Sequence, residues 1–187
     1  MTGPPKRPRK LLGSDDIERG LGEVAVIAER GGLAVVLIGG VALRYYGSER
    51  LTVDLDVVAQ APLPPELVDE GPLGIGGSKT RTPSGVPLDW IARTDDFSAV
   101  FDEALTHGRR IEGVPIPVAS PEYLAAMKLI AGRDKDELDL ITLLQSGELD
   151  VPKARSVIKR LLGAYAAKDF DSRVAEAAWR ASRTMDD

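Results

Sequence analysis

Apolar positions recur at helical spacing over residues 14–30, where Ile17, Leu21, Val24, Ala25 and Ala28 share one face and Ser14 or Asp15 can cap the first turn. Gly31 and Gly32 end that helix. The pattern then changes to a short unbroken apolar run at 33–38, LAVVLI, which suits a strand buried on both faces. Gly39 and Gly40 interrupt the run. A short helix is expected over 41–46, closed by Gly47, and the alternation of TVDLDVVA predicts a second strand over 52–59. Residues 62–77 are rich in proline and glycine and read as loops around one short helix near 65–68. The runs 79–82 and 86–92 flank Pro83, Ser84 and Gly85, the pattern of a hairpin. Helical spacing returns over 97–106, and 109–119 carries short extended pieces punctuated by Pro115 and Pro117. From Ser120 onward, helices are expected at 121–131, 135–145, 152–162 and 172–183. The fold class is therefore α/β (α+β): a small mixed β-sheet flanked by helices, followed by a helical C-terminal part. The expected division is a mobile, basic, proline-rich tail at 1–13, an α/β core at 14–119 and the helical part at 120–187.

Composition narrows the chemistry. Hydrophobic residues at 43% and charged residues at 28% describe a chain that folds around a core. With no cysteine, disulfides, thiolate metal sites and cysteine nucleophiles are excluded. The single histidine, His107, stands beside Gly108 at a helix end and reads as a solvated imidazole, so a histidine-based hydrolase is not expected. A net charge of -5 argues against a generally basic nucleic-acid surface and leaves any polyanion to be met locally. No apolar run reaches the roughly 18 residues of a membrane span, and the basic start has no apolar segment behind it. No membrane is expected as a partner, and the reading is cytoplasmic.

The chemistry concentrates in 38–58, IGGVALRYYGSERLTVDLDVV. Asp54 and Asp56 are two apart on a predicted strand, so both point to one face. Like charges this close repel unless a cation or a proton separates them, and a divalent ion is the natural partner. Mg²⁺ is commonly held by one or two carboxylates together with substrate phosphates. Asp89, in the short apolar run LDWI, offers a third carboxylate for a two-ion site. The competing reading is that these acids merely face solvent on an edge strand. Gly39 and Gly40 would let backbone amides approach a phosphate, although such a pair also makes a simple turn.

The order of strand, Gly39-Gly40, short helix, thirteen residues at 41–53, then Asp54-Leu55-Asp56-Val57 resembles the signature of the nucleotidyltransferase superfamily, whose fold is shared by DNA polymerase beta and antibiotic nucleotidyltransferases. More narrowly, GGVALRYYG followed by Arg50, Thr52, Asp54 and Asp56 is similar to the AbiEii-type branch, which contains toxins of type IV toxin-antitoxin systems. A second block, Ala119-Ser120-Pro121-Glu122-Tyr123-Leu124 leading to Lys128, Arg133, Lys135, Asp136 and Asp139, resembles the helix-borne motif of that branch. On the residues alone, Lys128 is either a lysine snorkelling from a core helix or a point charge for phosphate. Asp136 and Asp139 are either an N-cap and a solvated first-turn acid or members of the site.

The resemblance implies a metal-dependent nucleotidyltransferase that moves a nucleoside monophosphate from an NTP to a hydroxyl acceptor and releases pyrophosphate. It implies nucleotide binding by Gly39, Gly40, Arg50, Thr52, Lys128, Arg133 and Asp136. It also implies Mg²⁺ or Mn²⁺ on Asp54, Asp56 and Asp89, with these three and Lys128 as the catalytic set and Asp89 taking the acceptor's proton. The implied acceptor is a tRNA, a protein or a small molecule, and the AbiEii likeness adds an antitoxin protein as a partner. The rival reading is a nucleotide-binding regulatory module that does not transfer. The resemblance covers about residues 35–144 and finds no counterpart for 62–82.

Overall fold

The apolar run of the first strand and the hairpin around Gly85 meet in one mixed sheet. In the computed structural model, which describes residues 10–184, the elements follow in the order α1 (Ser14–Gly31), β1 (Val35–Ile38), α2 (Gly39–Arg44), β2 (Leu55–Ala59), β3 (Gly71–Pro72), β4 (Ser78–Arg81), β5 (Pro87–Ile91), α3 (Ser98–Thr106), α4 (Pro121–Ala131), α5 (Asp134–Gln145) and α6 (Val151–Thr184). The spatial order of the strands is β1-β2-β5-β4-β3. The β2–β5 pair is parallel and the other neighbours are antiparallel. All four residues of β1 are buried, as its continuous apolar run requires.

Side chains alternate across the sheet, so the register divides its two faces. Leu55 pairs with Leu88 and Leu88 with Thr80, and Val57 pairs with Trp90, on one face. Helix α1 lies against this face so closely that a Cβ on Gly20 would come 2.7 Å from Leu55 Cδ1. The opposite face carries Val36, Val58 and Ile91 toward the far end of the strands, and Asp56, Asp89 and Lys79 in one row nearer α2. Helices α4, α5 and α6 pack on one another, and α3 packs on α4. One apolar core runs from Leu12 through the sheet to Phe170, so the sheet and the C-terminal helices share it. Among the described residues, no helix is long and apolar enough to cross a membrane.

Several expected boundaries move, each for a local reason. Helix α1 is capped by Gly13 rather than Ser14 or Asp15, and the Asp16 carboxylate accepts the Gly13 N–H at 3.4 Å. Residues 1–9 of the expected tail lie outside the described residues. Within its last part, Leu12 is buried and its N–H donates to the Thr52 carbonyl at 2.8 Å, which pins the chain to the loop before β2. The helix expected near 65–68 is a turn, with the Leu67 N–H on the Pro64 carbonyl at 3.0 Å, because Pro62, Pro64 and Pro65 supply no amide donors to propagate a helix. The helices expected at 152–162 and 172–183 are joined by further helix. Gly163, at φ 91°, makes the only non-helical kink inside α6, and the buried Ala167 and Phe170 hold the stretch after it on the core.

The second strand also begins later than its alternation suggests. Ile38 opposite Asp56 is the last pair of the β1–β2 ladder, and at Gly39 the first strand turns away into α2. Asp54 therefore has no strand opposite it and sits in a bend, not on the strand expected to carry both acids. Thr52 Oγ1 bonds the Asp54 carbonyl and the Asp54 Oδ1, each at 3.2 Å, and these local bonds hold the bend.

Candidate functional site

Gly39 leaves β1 at φ +68°, a conformation that side-chain-bearing residues rarely adopt, and the space beside its Cα is filled by Asp56. A Cβ on residue 39 would stand 2.0 Å from Asp56 Oδ2. Asp89 is the register partner of Asp56 on the parallel neighbour strand, so two carboxylates that are 33 positions apart in sequence project side by side from one face. Asp54 stands in the bend just before them. Burial pushes the Asp56 carboxyl up to about 7, with the Asp54 and Asp89 charges adding to the rise and Lys128 and Lys135 opposing it. Lys79 lies opposite Asp89 on the antiparallel side, which puts an exposed ammonium-bearing side chain at the edge of the row.

The second glycine has a different neighbour. A Cβ on Gly40 would meet Arg50 Nη2 at 2.8 Å and Thr52 Cβ and Oγ1 at 3.3 Å. Sequence reasoning treats both glycines as openings for a phosphate. In the fold they are first of all the surfaces on which Asp56, Arg50 and Thr52 rest.

Lys128 does not snorkel. Its Nζ donates to Asp136 Oδ1 at 2.9 Å and to Asp139 Oδ2 at 2.7 Å, inside a cluster where Lys128 is 8% exposed, Asp136 1% and Asp139 3%. The alternative that Asp136 and Asp139 are an N-cap and a solvated first-turn acid is overturned, because Arg133 caps α5 and both acids are buried. Arg133 pairs with Asp136 from the outside, through Nε and through Nη2 at 3.2 Å. Burial acts to raise the Asp136 carboxyl, but hydrogen bonds from Arg133 and Lys128 outweigh it and hold the group below its ordinary range. Arg50 joins the same cluster, its Nε on Asp139 Oδ1 at 2.8 Å.

The fold thus brings Gly39, Asp54, Asp56 and Asp89 together, and Gly40, Arg50 and Thr52 next to them. Lys128, Arg133 and Asp136 form the adjoining ion cluster. His107 is exposed at the end of α3, stacked on Tyr123 with ring centroids 5.3 Å apart, and takes no part. One residue, Lys79, and one pairing, Arg50 with Asp139, escape the sequence reading. Lys79 was in principle accessible: pairing outward from the turn at Gly85, Thr82 with Val86 leads to Lys79 opposite Asp89. Asp139 as a partner of Arg50 left no local trace, because 89 positions separate them.

Oxygen donors without thiolate or imidazole suit a hard divalent cation. Among the described residues no three acidic or imidazole side chains form a ready-made ion cage. Asp56 and Asp89, with Asp54 beside them, could supply oxygen ligands to such an ion only with further ligands from elsewhere.

No protein-family model matches the chain, and no curated protein matches it in sequence. Solved structures do match its fold. The antibiotic-resistance factor ANT(2'')-Ia aligns at a TM-score of 0.54 with 16% identity, over 86% of this chain and 98% of that one. An antigenic nucleotidyltransferase-like protein from Paracoccidioides brasiliensis aligns at a TM-score of 0.50 with 17% identity, over 89% of this chain and 95% of that one. The chain has a nucleotidyltransferase-like fold. Both alignments to that nucleotidyltransferase-like fold span most of the chain.

Proposed function

We propose that this chain transfers a nucleoside monophosphate from an NTP to a hydroxyl acceptor at the Asp54, Asp56 and Asp89 face. The observation that carries the reading is the Asp56 carboxylate, packed on Gly39 and paired in register with Asp89, in a nucleotidyltransferase-like fold. Mg²⁺ or Mn²⁺ held by Asp54, Asp56 and Asp89 would supply charge neutralisation for the phosphates. The chain's own groups do the rest. Gly39 and Gly40 leave room for Asp56, Arg50 and Thr52 to pack against the loop, Arg50 and Thr52 orient the phosphates beside it, and Asp89 accepts the proton of the incoming hydroxyl. The acceptor oxygen bonds to the α-phosphorus as the bond to the bridging oxygen breaks, and pyrophosphate leaves. Lys128, paired with two aspartates, acts as a structural cation of the neighbouring cluster, with Arg133 on its outer side.

The Arg50, Thr52, Asp54, Asp56 spacing and the Lys128 to Asp139 block support placement in the AbiEii-type branch, with a toxin role held in check by an antitoxin protein. Growth on induced expression of the wild type, compared with Asp54→Asn/Asp56→Asn, tests that role: arrest by the wild type alone supports it, and equal growth sinks it.

A second reading, nucleotide binding without transfer, is favoured by one observation. Lys128 already donates to two aspartates within the protein, which competes with any contact to a leaving pyrophosphate. The deciding measurements are thermal melting with ATP, GTP, CTP and UTP, with and without Mg²⁺, and label incorporation from α-labelled NTPs into tRNA, protein and small-molecule acceptors. Mg²⁺-dependent stabilisation with label transfer, both lost in Asp54→Asn/Asp56→Asn, is the expected result. Stabilisation without transfer to any acceptor selects the binding module, and no stabilisation by any NTP rejects both.

A further inference from the structure

A continuous line of charge runs from the outside of α5 to the first glycine loop: Arg133, Asp136, Lys128, Asp139, Arg50. Asp139 is its pivot. One oxygen, Oδ2, accepts from Lys128 Nζ at 2.7 Å, and the other, Oδ1, accepts from Arg50 Nε at 2.8 Å. With both oxygens committed and the residue buried, Asp139 cannot rotate away without breaking two charge-assisted bonds.

The consequence falls on Arg50. Its Nε is the donor that Asp139 takes, which sets the plane of the guanidinium and leaves the Nη donors for something else. Nη2 lies against Gly40, where a Cβ would come within 2.8 Å of it. The Arg50 side chain is 33% exposed, unlike the carboxylate that holds it at 2%. A planar fork fixed at one edge, with its other edge beside a glycine backbone, on a side chain that is one-third exposed, is the form of a phosphate clamp.

We propose that Arg50 grips the terminal phosphates of the NTP and that Asp139 is the positioning residue that aims it, so that the C-terminal helices set triphosphate affinity through a buried carboxylate. The proposal rests on the nucleotidyltransferase reading above. It requires a fork rather than a charge: a lysine at position 50 cannot occupy Asp139 and reach the Gly40 backbone at once.

Calorimetric binding of the Mg²⁺ complexes of ATP, GTP, CTP and UTP, and of AMP, GMP, CMP and UMP, tests it in Arg50→Gln, Arg50→Lys, Asp139→Asn and Arg50→Gln/Asp139→Asn. For the NTP that binds the wild type, Arg50→Lys and Asp139→Asn should each weaken binding about tenfold or more, the scale of a lost charge-assisted pair. The corresponding monophosphate should change little. In the Arg50→Gln background, Asp139→Asn should cost no further affinity, which a merely structural role for Asp139 would not produce. Because Asp139→Asn disturbs a buried pair, Arg50→Lys carries the test if that variant does not fold. Wild-type NTP affinity in Arg50→Lys, or in folded Asp139→Asn, overturns the clamp while leaving the nucleotide reading standing. Absence of NTP binding by the wild type removes the nucleotide reading, and the clamp with it.

Discussion

The Asp56 carboxylate occupies the place where a side chain on residue 39 would stand, 2.0 Å from the Cβ position of Gly39. Gly40 in contrast faces the tip of Arg50 and the Cβ and hydroxyl of Thr52. Two adjacent glycines therefore have separable jobs. Gly39→Ala must relieve a collision with a part-buried carboxylate and also hold a positive φ, a strain of about 1–3 kcal/mol before any repacking. Its melting temperature should fall by several degrees, at about 2–4 °C per kcal/mol for a chain of this size. Gly40→Ala displaces the flexible end of Arg50, so its melting temperature should stay close to wild type while Mg-NTP affinity drops. Melting curves and calorimetry on both variants check the contrast. Equal stability loss at the two positions would refute it.

Asp89 reaches the site from a different strand than Asp56, and in the proposed transfer it receives the acceptor's proton. Asp89→Asn should reduce label transfer by orders of magnitude while Mg-NTP affinity changes far less, because the lost group acts on the transition state. The check is calorimetry beside single-turnover transfer. Transfer at the wild-type rate would take the role of base away from Asp89.

Lys128 neutralises two buried aspartates, and its removal leaves Asp139 with Arg50 and Asp136 with Arg133 as the only cations bonded to them in the cluster. Lys128→Met should destabilise the protein by about 3–5 kcal/mol, the usual cost of breaking a buried ion pair from one side. Denaturant unfolding measures it. A loss below about 1 kcal/mol, the range of a surface pair, would show that the cluster is effectively solvated.

Glu103 supplies a pH signature away from the site. Hydrogen bonds from the Arg160 guanidinium, with burial opposing and the Tyr123 hydroxyl at 2.8 Å assisting, hold its carboxyl at about 2, below its ordinary 4.5. A depressed carboxylate contributes stability that is present above its unfolded pKa and is lost as pH falls through the folded one. The melting-temperature gap between the wild type and Glu103→Gln should be full above about pH 5 and should close between 4.5 and 2. Since the pair joins α3 to α6, a gap that is constant across this window would mean that the bond does not persist in solution.

Legibility in the sequence followed the range of the interaction. Helix α4 was readable to both ends because Pro121 and Gly132 mark its limits locally. The hairpin of β4 and β5 was readable from Pro83, Ser84 and Gly85. Strand β2 was not readable at its start, since the alternation of 52–59 continues through Asp54 while the partner strand has already turned at Gly39. The stretch at 163–171 was not readable as helix either, because only burial of Ala167 and Phe170 against distant elements stabilises it.

The sequence by itself determined which oxygen donors exist, the spacing of Asp54 and Asp56, the glycines at the end of the first strand, and the mixed α/β plan, because backbone preference and apolar period act over a few residues. Tertiary structure alone decided that Asp56 pairs with Asp89 in parallel register, that Lys128 is a buried cation rather than a snorkelling one, and that Arg50 is held by Asp139. Each of those joins groups tens of positions apart, and whether a charge is solvated or paired depends on what the folded chain places around it, which no local pattern of residue types encodes.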